Sequence, residues 1–166
     1  MKIAIISDSH DNLINLDKCL KYLQQQDIKF LIHCGDIATL ETLQYLRDNF
    51  KGKIYACLGN MDINPEELAE QAKTFKQVEF FEDYGEIIID NLKMLFTHKP
   101  EDLKKYLVKI QVDWAFYGHT HKPWIEKLGQ TILLNPGTLA GMFSYPTFAV
   151  LDTNTQKPEL ILVDKL

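Results

Sequence analysis

Five apolar, β-branched runs in this chain are each followed directly by a short polar segment. The runs span residues 3–6, 30–32, 54–57, 94–96 and 114–117, and such runs are typical of buried strands. The polar segments are Asp8-Ser9-His10, Gly35-Asp36, Gly59-Asn60-Met61-Asp62, Thr97-His98 and Gly118-His119-Thr120-His121. If the strands lie parallel in one sheet, all five segments meet at its carboxyl edge, where open α/β sheets place their sites.

The candidate ligands in these segments are imidazole, carboxylate and amide groups, with no thiolate among them. This set suits hard or borderline divalent metal ions, and a central carboxylate is able to bridge two of them. Segment 118–121 is the most specific signal, because two imidazoles flanking one residue after a buried strand are seldom explained by packing alone. Asp8-x-His10 is weak by itself, since aspartate before polar residues is as often a turn or a helix cap.

Several of these residues have an ordinary explanation when taken singly. Gly35-Asp36 is a common turn pair, and Asn60 could be a loop residue with positive φ. A lone histidine such as His98 is more often structural, and His33 is expected to form hydrogen bonds behind the site rather than to bind metal. The prediction therefore rests on the conjunction: four of the five histidines, two aspartates and one asparagine fall at strand exits.

The composition indicates a globular protein with one domain, residues 1–166. Hydrophobic residues make up 46% of the chain and charged residues 25%, which is ordinary for such proteins, and no linker or repeat divides the sequence. The net charge of −5 argues against binding long nucleic acid, which depends on many basic residues. A small phosphate substrate remains compatible, because bound metal ions would invert the local field.

Membrane insertion and secretion are not expected from this sequence. No apolar run approaches the roughly 20 residues of a membrane-spanning helix, and the first residues are unlike a signal peptide. The three cysteines, Cys19, Cys34 and Cys57, lack paired spacing, so buried thiols are the favoured interpretation. We therefore expect a reduced, cytoplasmic protein.

The order of the elements predicts two different halves. Helical spacing is found at residues 13–26, 40–50, 65–73 and 101–110, so the first half alternates strand with helix and is expected to be parallel. The second half is rich in strands, at 85–90, 92–97, 124–128, 131–134, 148–152 and 159–163. Asp90-Asn91 and Gly129-Gln130 are two-residue turn signals within it. This pattern predicts a second sheet packed on the first, with helices outside.

The ordered series of polar segments resembles the calcineurin-like metallophosphoesterase superfamily. It is most similar to the small single-domain phosphodiesterases of bacteria and archaea, over residues 1 to about 152. The run Asn135-Pro136-Gly137-Thr138 matches a late loop of that branch. The resemblance implies an α/β fold, a four-layer α/β/β/α sandwich with two mixed sheets.

The resemblance also implies two metal ions and a hydrolase activity. One ion would be held by Asp8, His10, Asp36 and His121, and the other by Asp36, Asn60, His98 and His119, with Asp36 bridging both. Manganese is the expected metal, and mixed nitrogen and oxygen ligation also permits iron, nickel or zinc. Asp36, Asn60 and His98 are expected to be catalytic as well as metal-binding. The implied reaction is hydrolysis of a small phosphodiester by a hydroxide held between the ions.

Two positions depart from the pattern of the family. Met61 stands where many relatives carry a histidine that protonates or stabilises the leaving group, although the small single-domain branch often lacks it too. Lys99 and Pro100 stand where the usual motif has glycine and a second histidine. Lys99 could contact substrate phosphate, but an exposed loop lysine is the more common case. Phe143 and Tyr145 are candidates for a pocket wall, although core packing explains aromatic residues more often.

Two alternative functions follow from the same residues. One is a protein-binding scaffold of this fold with little or no catalysis, which would not need seven convergent ligands. The other is metal-dependent hydrolysis of an amide or ester, for which the sequence contains no specific signal. The sequence does not identify the substrate, and it leaves a homo-oligomer open.

Overall fold

The computed structural model describes residues 1–166 and contains eleven strands, four α-helices and one short 3-10 helix. In chain order these are β1 (Lys2–Ile6), α1 (Leu13–Gln25), β2 (Phe30–His33), α2 (Leu40–Asn49), β3 (Lys53–Cys57), α3 (Pro65–Ala72), β4 (Val78–Phe81), β5 (Tyr84–Ile89), β6 (Leu92–Thr97), α4 (Pro100–Leu107), β7 (Trp114–Phe116), β8 (Trp124–Leu128), β9 (Thr131–Asn135), β10 (Thr147–Asp152), β11 (Lys157–Leu162) and the 3-10 helix Val163–Lys165. None of the helices combines the length and the apolar character needed to cross a bilayer.

The strands form two mixed sheets. The first has the order β11-β10-β1-β2-β3-β4; β1 to β4 run parallel, while β10 is antiparallel to both β1 and β11. The second has the order β5-β6-β7-β9-β8, in which β6, β7 and β9 run parallel between antiparallel edge strands. The helical crossovers of the first half account for the parallel strands of the first sheet, because parallel neighbours require such connections.

The two sheets pack face to face, with helices on both outer surfaces. Along β1, Ile3 and Ile5 point into the core between the sheets, whereas Ala4 and Ile6 pack under α1, α2 and α3, as the twofold periodicity of a strand requires. Leu103 of α4 packs on the outer face of the second sheet. The predicted four-layer α/β/β/α sandwich with two mixed sheets is therefore confirmed.

Two details differ from the sequence-based expectation. The five strands that precede the polar segments do not share one sheet: β1, β2 and β3 lie in the first, and β6 and β7 lie in the second. The chain enters the second sheet through β5, and the turn at Asp90 and Asn91, with φ of 54° and 64°, folds β6 back on it. Strand β4 was not predicted, because its four residues show little alternation in burial.

Candidate metal centre

The loops after β1, β2, β3, β6 and β7 converge where the carboxyl ends of the two sheets meet. Backbone hydrogen bonds join them: the Asp8 amide donates to Gly35 O at 3.1 Å, the His10 amide to Asp36 O at 3.1 Å, and the Gly118 amide to His98 O at 2.9 Å. The predicted segments thus meet although they leave different sheets, because both sheets direct these strand ends to one edge of the sandwich.

Two glycines permit this close approach. A Cβ atom on Gly59 would collide with Asp36, and one on Gly118 would collide with the side chains of Ser7 and Asp8. Any larger residue would therefore push the loops apart. The glycines that precede Asn60 and His119 are therefore needed for the space that a side chain would fill.

Most of the predicted ligands adopt an unusual backbone conformation. Five of the seven have φ in the left-handed region: Asp8, His10, Asp36, His119 and His121, with φ between 41° and 66°. Such residues cost of order 1 kcal/mol or more each and cluster at functional sites. Asn60 is not among them, so its interpretation as a left-handed loop residue is wrong.

Four side chains form a first cluster: Asp8, His10, Asp36 and His121. One potential ligand atom from each lies within 4.8 Å of all the others. His121 Nε2 lies 3.1 Å from Asp8 Oδ1 and 3.4 Å from His10 Nε2, and His10 Nε2 lies 3.6 Å from Asp36 Oδ2. A set of two carboxylates and two imidazoles at this spacing is able to surround one ion.

A second cluster surrounds His98. Its Nε2 atom lies 3.3 Å from Asp36 Oδ2, 3.0 Å from Asn60 Oδ1 and 3.3 Å from His119 Nδ1. The Asp36 oxygen that approaches His98 is the same one that approaches His10. Asp36 therefore lies between the two clusters, and the structure brings together all seven predicted residues.

Hydrogen bonds to backbone carbonyls fix two of the imidazoles. His98 Nδ1 donates to Cys34 O at 2.9 Å, and His121 Nδ1 donates to Met142 O at 3.0 Å. A carbonyl only accepts, so each Nδ1 carries a proton, and Nε2 of the neutral imidazole offers its lone pair to the cluster. Metal-binding histidines in proteins are oriented in this way.

The electrostatics of the pocket favour a cation. Asp8 Oδ1 is buried and has no hydrogen-bond donor, although buried carboxylate oxygens normally find one. Burial opposes charge on His98, yet the hydrogen bond and charge of Asp36 raise the pKa of this imidazole. Burial would also raise the pKa of Asp36, but His98 holds it below its usual value. Together with the nitrogen and oxygen donor set, the orphaned oxygen shows that these residues fit a divalent ion.

Asp62 has a different role from the other aspartates. Its Oδ1 accepts the Ala38 amide at 2.7 Å, and its Oδ2 accepts the Gly59 amide at 2.6 Å. Burial raises the pKa of Asp62, while these two backbone donors act in the opposite direction. Both oxygens are occupied, so Asp62 fastens the loop after β2 to the loop after β3 and is not placed to bind metal.

The late loop, noticed in the sequence only as a motif, supports the site. Asn135 Nδ2 donates to Gly118 O at 2.9 Å and to Thr120 Oγ1 at 3.0 Å. The Thr138 hydroxyl donates to Asp8 O at 3.1 Å. No sequence pattern linked Asn135 and Thr138 to the loops of the predicted ligands. The hydrogen bond from Thr138 to Asp8, for example, joins residues more than a hundred positions apart.

His33 supports the site from behind, as predicted. Its Nε2 shares a hydrogen bond of 2.9 Å with the hydroxyl of Ser9, the residue between Asp8 and His10. Burial lowers the pKa of His33 to about 4, so the imidazole is neutral at neutral pH. The three cysteines are buried free thiols, also as predicted.

The residues that depart from the family pattern lie close to the predicted ligands. The Met61 amide donates to Asp36 Oδ1 at 2.8 Å, while the Met61 side chain is 57% exposed. Pro100 is the first residue of α4, and Lys99 precedes it in an extended conformation. Lys99 is half-buried and lines a cavity of about 300 Å³ with Asn60 and His98. It is therefore not the fully exposed surface lysine that base rates favour.

Comparisons with known proteins agree with this architecture. A profile of the calcineurin-like phosphoesterase superfamily domain matches residues 1–156. Phosphodiesterase MJ0936 of Methanocaldococcus jannaschii is 30% identical over 167 residues, which covers 99% of this chain and 100% of that protein. The solved structure of an archaeal phosphodiesterase is similar with a TM-score of 0.88 and 31% identity, over 98% of this chain and 99% of that one.

A more distant similarity concerns the fold alone. Vps29 of Chaetomium thermophilum is similar with a TM-score of 0.73 and 17% identity, over 98% of this chain and 95% of that one. The archaeal relative, by contrast, is 30% identical over 99% of this chain, and the family profile matches residues 1–156. On these matches the chain belongs to the calcineurin-like phosphoesterase superfamily, a family of hydrolases.

Proposed function

We propose that this chain is a metal-dependent phosphodiesterase that hydrolyses a small phosphodiester, with residues 1–166 acting as one domain. The observation that supports this most is the pair of side-chain clusters that share Asp36, together with the orphaned Oδ1 of buried Asp8. A buried carboxylate without a donor is costly unless a cation satisfies it. The relatives named as phosphodiesterases support the choice of reaction.

The proposed ligands divide into two sets that share one residue. Asp8, His10, Asp36 and His121 would hold the first ion, and Asp36, Asn60, His98 and His119 would hold the second. Manganese is the ion we expect, and the mixture of imidazole nitrogen with carboxylate and amide oxygen also permits iron, nickel or zinc. Two divalent ions supply Lewis acidity, which activates water as a nucleophile near neutral pH and stabilises charge on the phosphoryl oxygens.

The protein residues set the charge of the site. The seven proposed ligands include only two carboxylates, Asp8 and Asp36, while Asn60 contributes a neutral amide. Two divalent ions would thus keep an excess of positive charge, which favours an anionic diester. Asn60 and His119 are exposed, so the second cluster is the side that a substrate in solution can reach.

The protein-binding scaffold is the weaker alternative. Its support is the fold that this chain shares with Vps29, and a shared fold does not establish a shared function. A scaffold would also gain nothing from an unpaired buried carboxylate or from five ligand residues in left-handed conformations.

A substrate panel on metal-quantified protein tests the proposal. We expect the purified protein to cleave bis(p-nitrophenyl) phosphate, to lose this activity after chelation and to regain it with Mn²⁺. Asp36→Asn, purified in parallel, should be inactive, which excludes a contaminating enzyme. Cleavage of p-nitrophenyl acetate or of a p-nitroanilide without cleavage of any phosphate ester would refute the phosphodiesterase assignment, as would inactivity of the Mn²⁺-loaded protein on every phosphodiester.

A further inference from the structure

The loop between β9 and β10 exposes aromatic side chains beside the first cluster. The Phe143 side chain is 91% exposed and the Tyr145 side chain is 75% exposed, so the interpretation of these residues as core packing is wrong. Residues 139–146 also contain no charged side chain. A fully exposed phenylalanine ring next to a proposed catalytic site needs an explanation, because large apolar groups normally gain free energy by leaving water.

The loop is fastened at both ends, so it holds Phe143 in place. The Ala140 amide donates to Asp8 O at 3.0 Å, and the Val163 amide donates to Pro146 O at 2.9 Å. Phe143 itself has φ of 62°, a conformation that is a genuine outlier for a bulky residue. Strained conformations of this kind persist where the surroundings fix them, most often at functional sites.

The Phe143 ring is directed toward a proposed ligand. Its centroid lies 5.7 Å from that of the His121 imidazole, with 33° between the planes. The preceding residue, Met142, accepts the His121 Nδ1 hydrogen bond. The ring therefore sits one imidazole away from the first cluster, with most of its surface open to solvent.

We propose that Phe143 is an aromatic platform that determines specificity, by stacking on a planar ring carried by the ester substituent that phosphorus retains, not by the leaving group. This inference rests on the proposed phosphodiesterase function and names its substrate class: diesters that carry a nucleobase or an aryl group. Every nucleobase or aryl ring has a π-face, so stacking accepts both. The absence of charge in residues 139–146 suits a neutral ring better than a second phosphate.

Three substrates with the same leaving group test the platform. They are methyl p-nitrophenyl phosphate, phenyl p-nitrophenyl phosphate and thymidine 5′-(p-nitrophenyl phosphate), which differ only in the substituent that phosphorus retains. We expect Phe143→Ala and Phe143→Leu each to lower kcat/KM for the thymidine or the phenyl diester, or both, by about tenfold or more, the range of single-base stacking. The methyl diester should change by less than about threefold, and bound metal should not change. The control Val108→Ala, at an 83% exposed position, should affect none of them.

The same variants distinguish a platform from a mere support for His121. An equal loss on all three diesters, or reduced metal content, would overturn the platform. So would full activity of Phe143→Leu, which keeps an apolar side chain but removes the aromatic face. If only the thymidine diester loses activity, the planar group is a nucleobase; if only the phenyl diester does, it is an aryl group.

A binding measurement separates this proposal from the proposed function. Calorimetry on the Mn²⁺-loaded protein should show thymidine 5′-monophosphate or phenyl phosphate, or both, binding at least about tenfold more tightly than inorganic phosphate, and Phe143→Ala should remove that difference. Such preferential binding without hydrolysis of any diester would support the platform and refute the phosphodiesterase. Hydrolysis of all three diesters with no dependence on Phe143 would support the phosphodiesterase and refute the platform.

Discussion

The two side-chain clusters differ in burial and in charge. In the first, Asp8 and Asp36 are buried, and the His10 and His121 side chains are only 12% exposed. In the second, Asn60 and His119 are exposed. The first contains two carboxylates, and the second contains one carboxylate and a neutral amide. Because negative charge in a buried site attracts a cation more strongly, we expect the first cluster to bind its ion more tightly and the second to be the side that substrate reaches.

The fold explains this difference. Asp8 and Asp36 follow β1 and β2, which are central strands of the first sheet, and the loop that carries Ala140 covers Asp8. Asn60 follows β3, one strand nearer the edge, whereas His119 and His121 both follow β7, the central strand of the second sheet. The position of the β3 loop therefore accounts for the exposure of Asn60, and within the loop after β7 the His119 side is exposed while His121 is partly buried.

Among variants that should affect one ion only, the largest effects are expected from the two histidines of the loop after β7. His121→Ala should deplete the first cluster and His119→Ala the second, each with a loss of metal affinity above about 100-fold, since changes behind a ligand alone cost about 10–100-fold. Anomalous diffraction on Mn²⁺-soaked crystals of both variants measures the occupancy of each position. Depletion of the same position in both variants would contradict the division into two clusters.

Substitution of Met61 tests how the leaving group is protonated at the second, more exposed cluster. A thioether has no proton to donate, so the unmodified protein should cleave aryl diesters far better than alkyl diesters, with a steep dependence of rate on leaving-group pKa. Met61→His should flatten this dependence and raise the rate on alkyl diesters by up to about 10²-fold, the lower end of general acid catalysis.

The control for this prediction is Met61→Gln, which adds polarity without an acidic proton and should keep the steep slope. Rates must be compared at equal metal occupancy. A shallow slope in the unmodified protein would mean that another group protonates the leaving oxygen, and Lys99, beside Asn60 and His98 in the same cavity, is the first residue to test.

A smaller effect is expected on the free energy of unfolding, in which substitutions of Asp8 and Asp62 should differ. In metal-free protein, Asp8→Asn should leave the free energy of unfolding unchanged or raise it, because an amide nitrogen at the Oδ1 position can donate to His121 Nε2, 3.1 Å away. Asp62→Asn should lower it by about 1–3 kcal/mol, since one of two backbone amides loses its acceptor. Urea unfolding with chelator present measures both.

Adding Mn²⁺ reverses the order of these two variants. Binding to the native state stabilises it, so Mn²⁺ should stabilise the unmodified protein and Asp62→Asn, which keep both clusters, more than Asp8→Asn, which keeps only the second. Destabilisation of metal-free Asp8→Asn by as much as Asp62→Asn would show that the Asp8 carboxylate is structural.

The sequence predicted every strand except β4, together with the seven residues that the structure brings together, because both depend on local pattern. An apolar run followed by a polar residue such as His98 or Asp36 is a local sign of a site at the end of a strand. The resemblance to a family then implied how these residues divide into two sets. The ligand roles themselves stay predictions. Asp62 could not be distinguished from Asp8 by sequence, since the difference lies in which backbone amides reach each carboxylate.

Long-range contacts were also beyond the sequence. The pairing of Met142 with His121 and the exposure of Phe143 depend on how a loop from the second half lies over the carboxyl edge of the sheets. The five strands are divided between two sheets because the hairpin at Asp90 and Asn91 places β6 beside β5 in the second sheet. The sequence predicted this turn but not the sheet to which β6 belongs.

A Mn²⁺ titration of metal-free protein, with metal content and diesterase activity measured on the same samples, tests the central claim most directly. The first equivalent should fill the first cluster and produce little activity. The second equivalent should fill the second cluster, and activity should rise with it to a total of two ions per chain, whereas Asp36→Asn should retain neither ion. One tightly bound ion per chain with full activity at saturating Mn²⁺ would contradict the two-metal account.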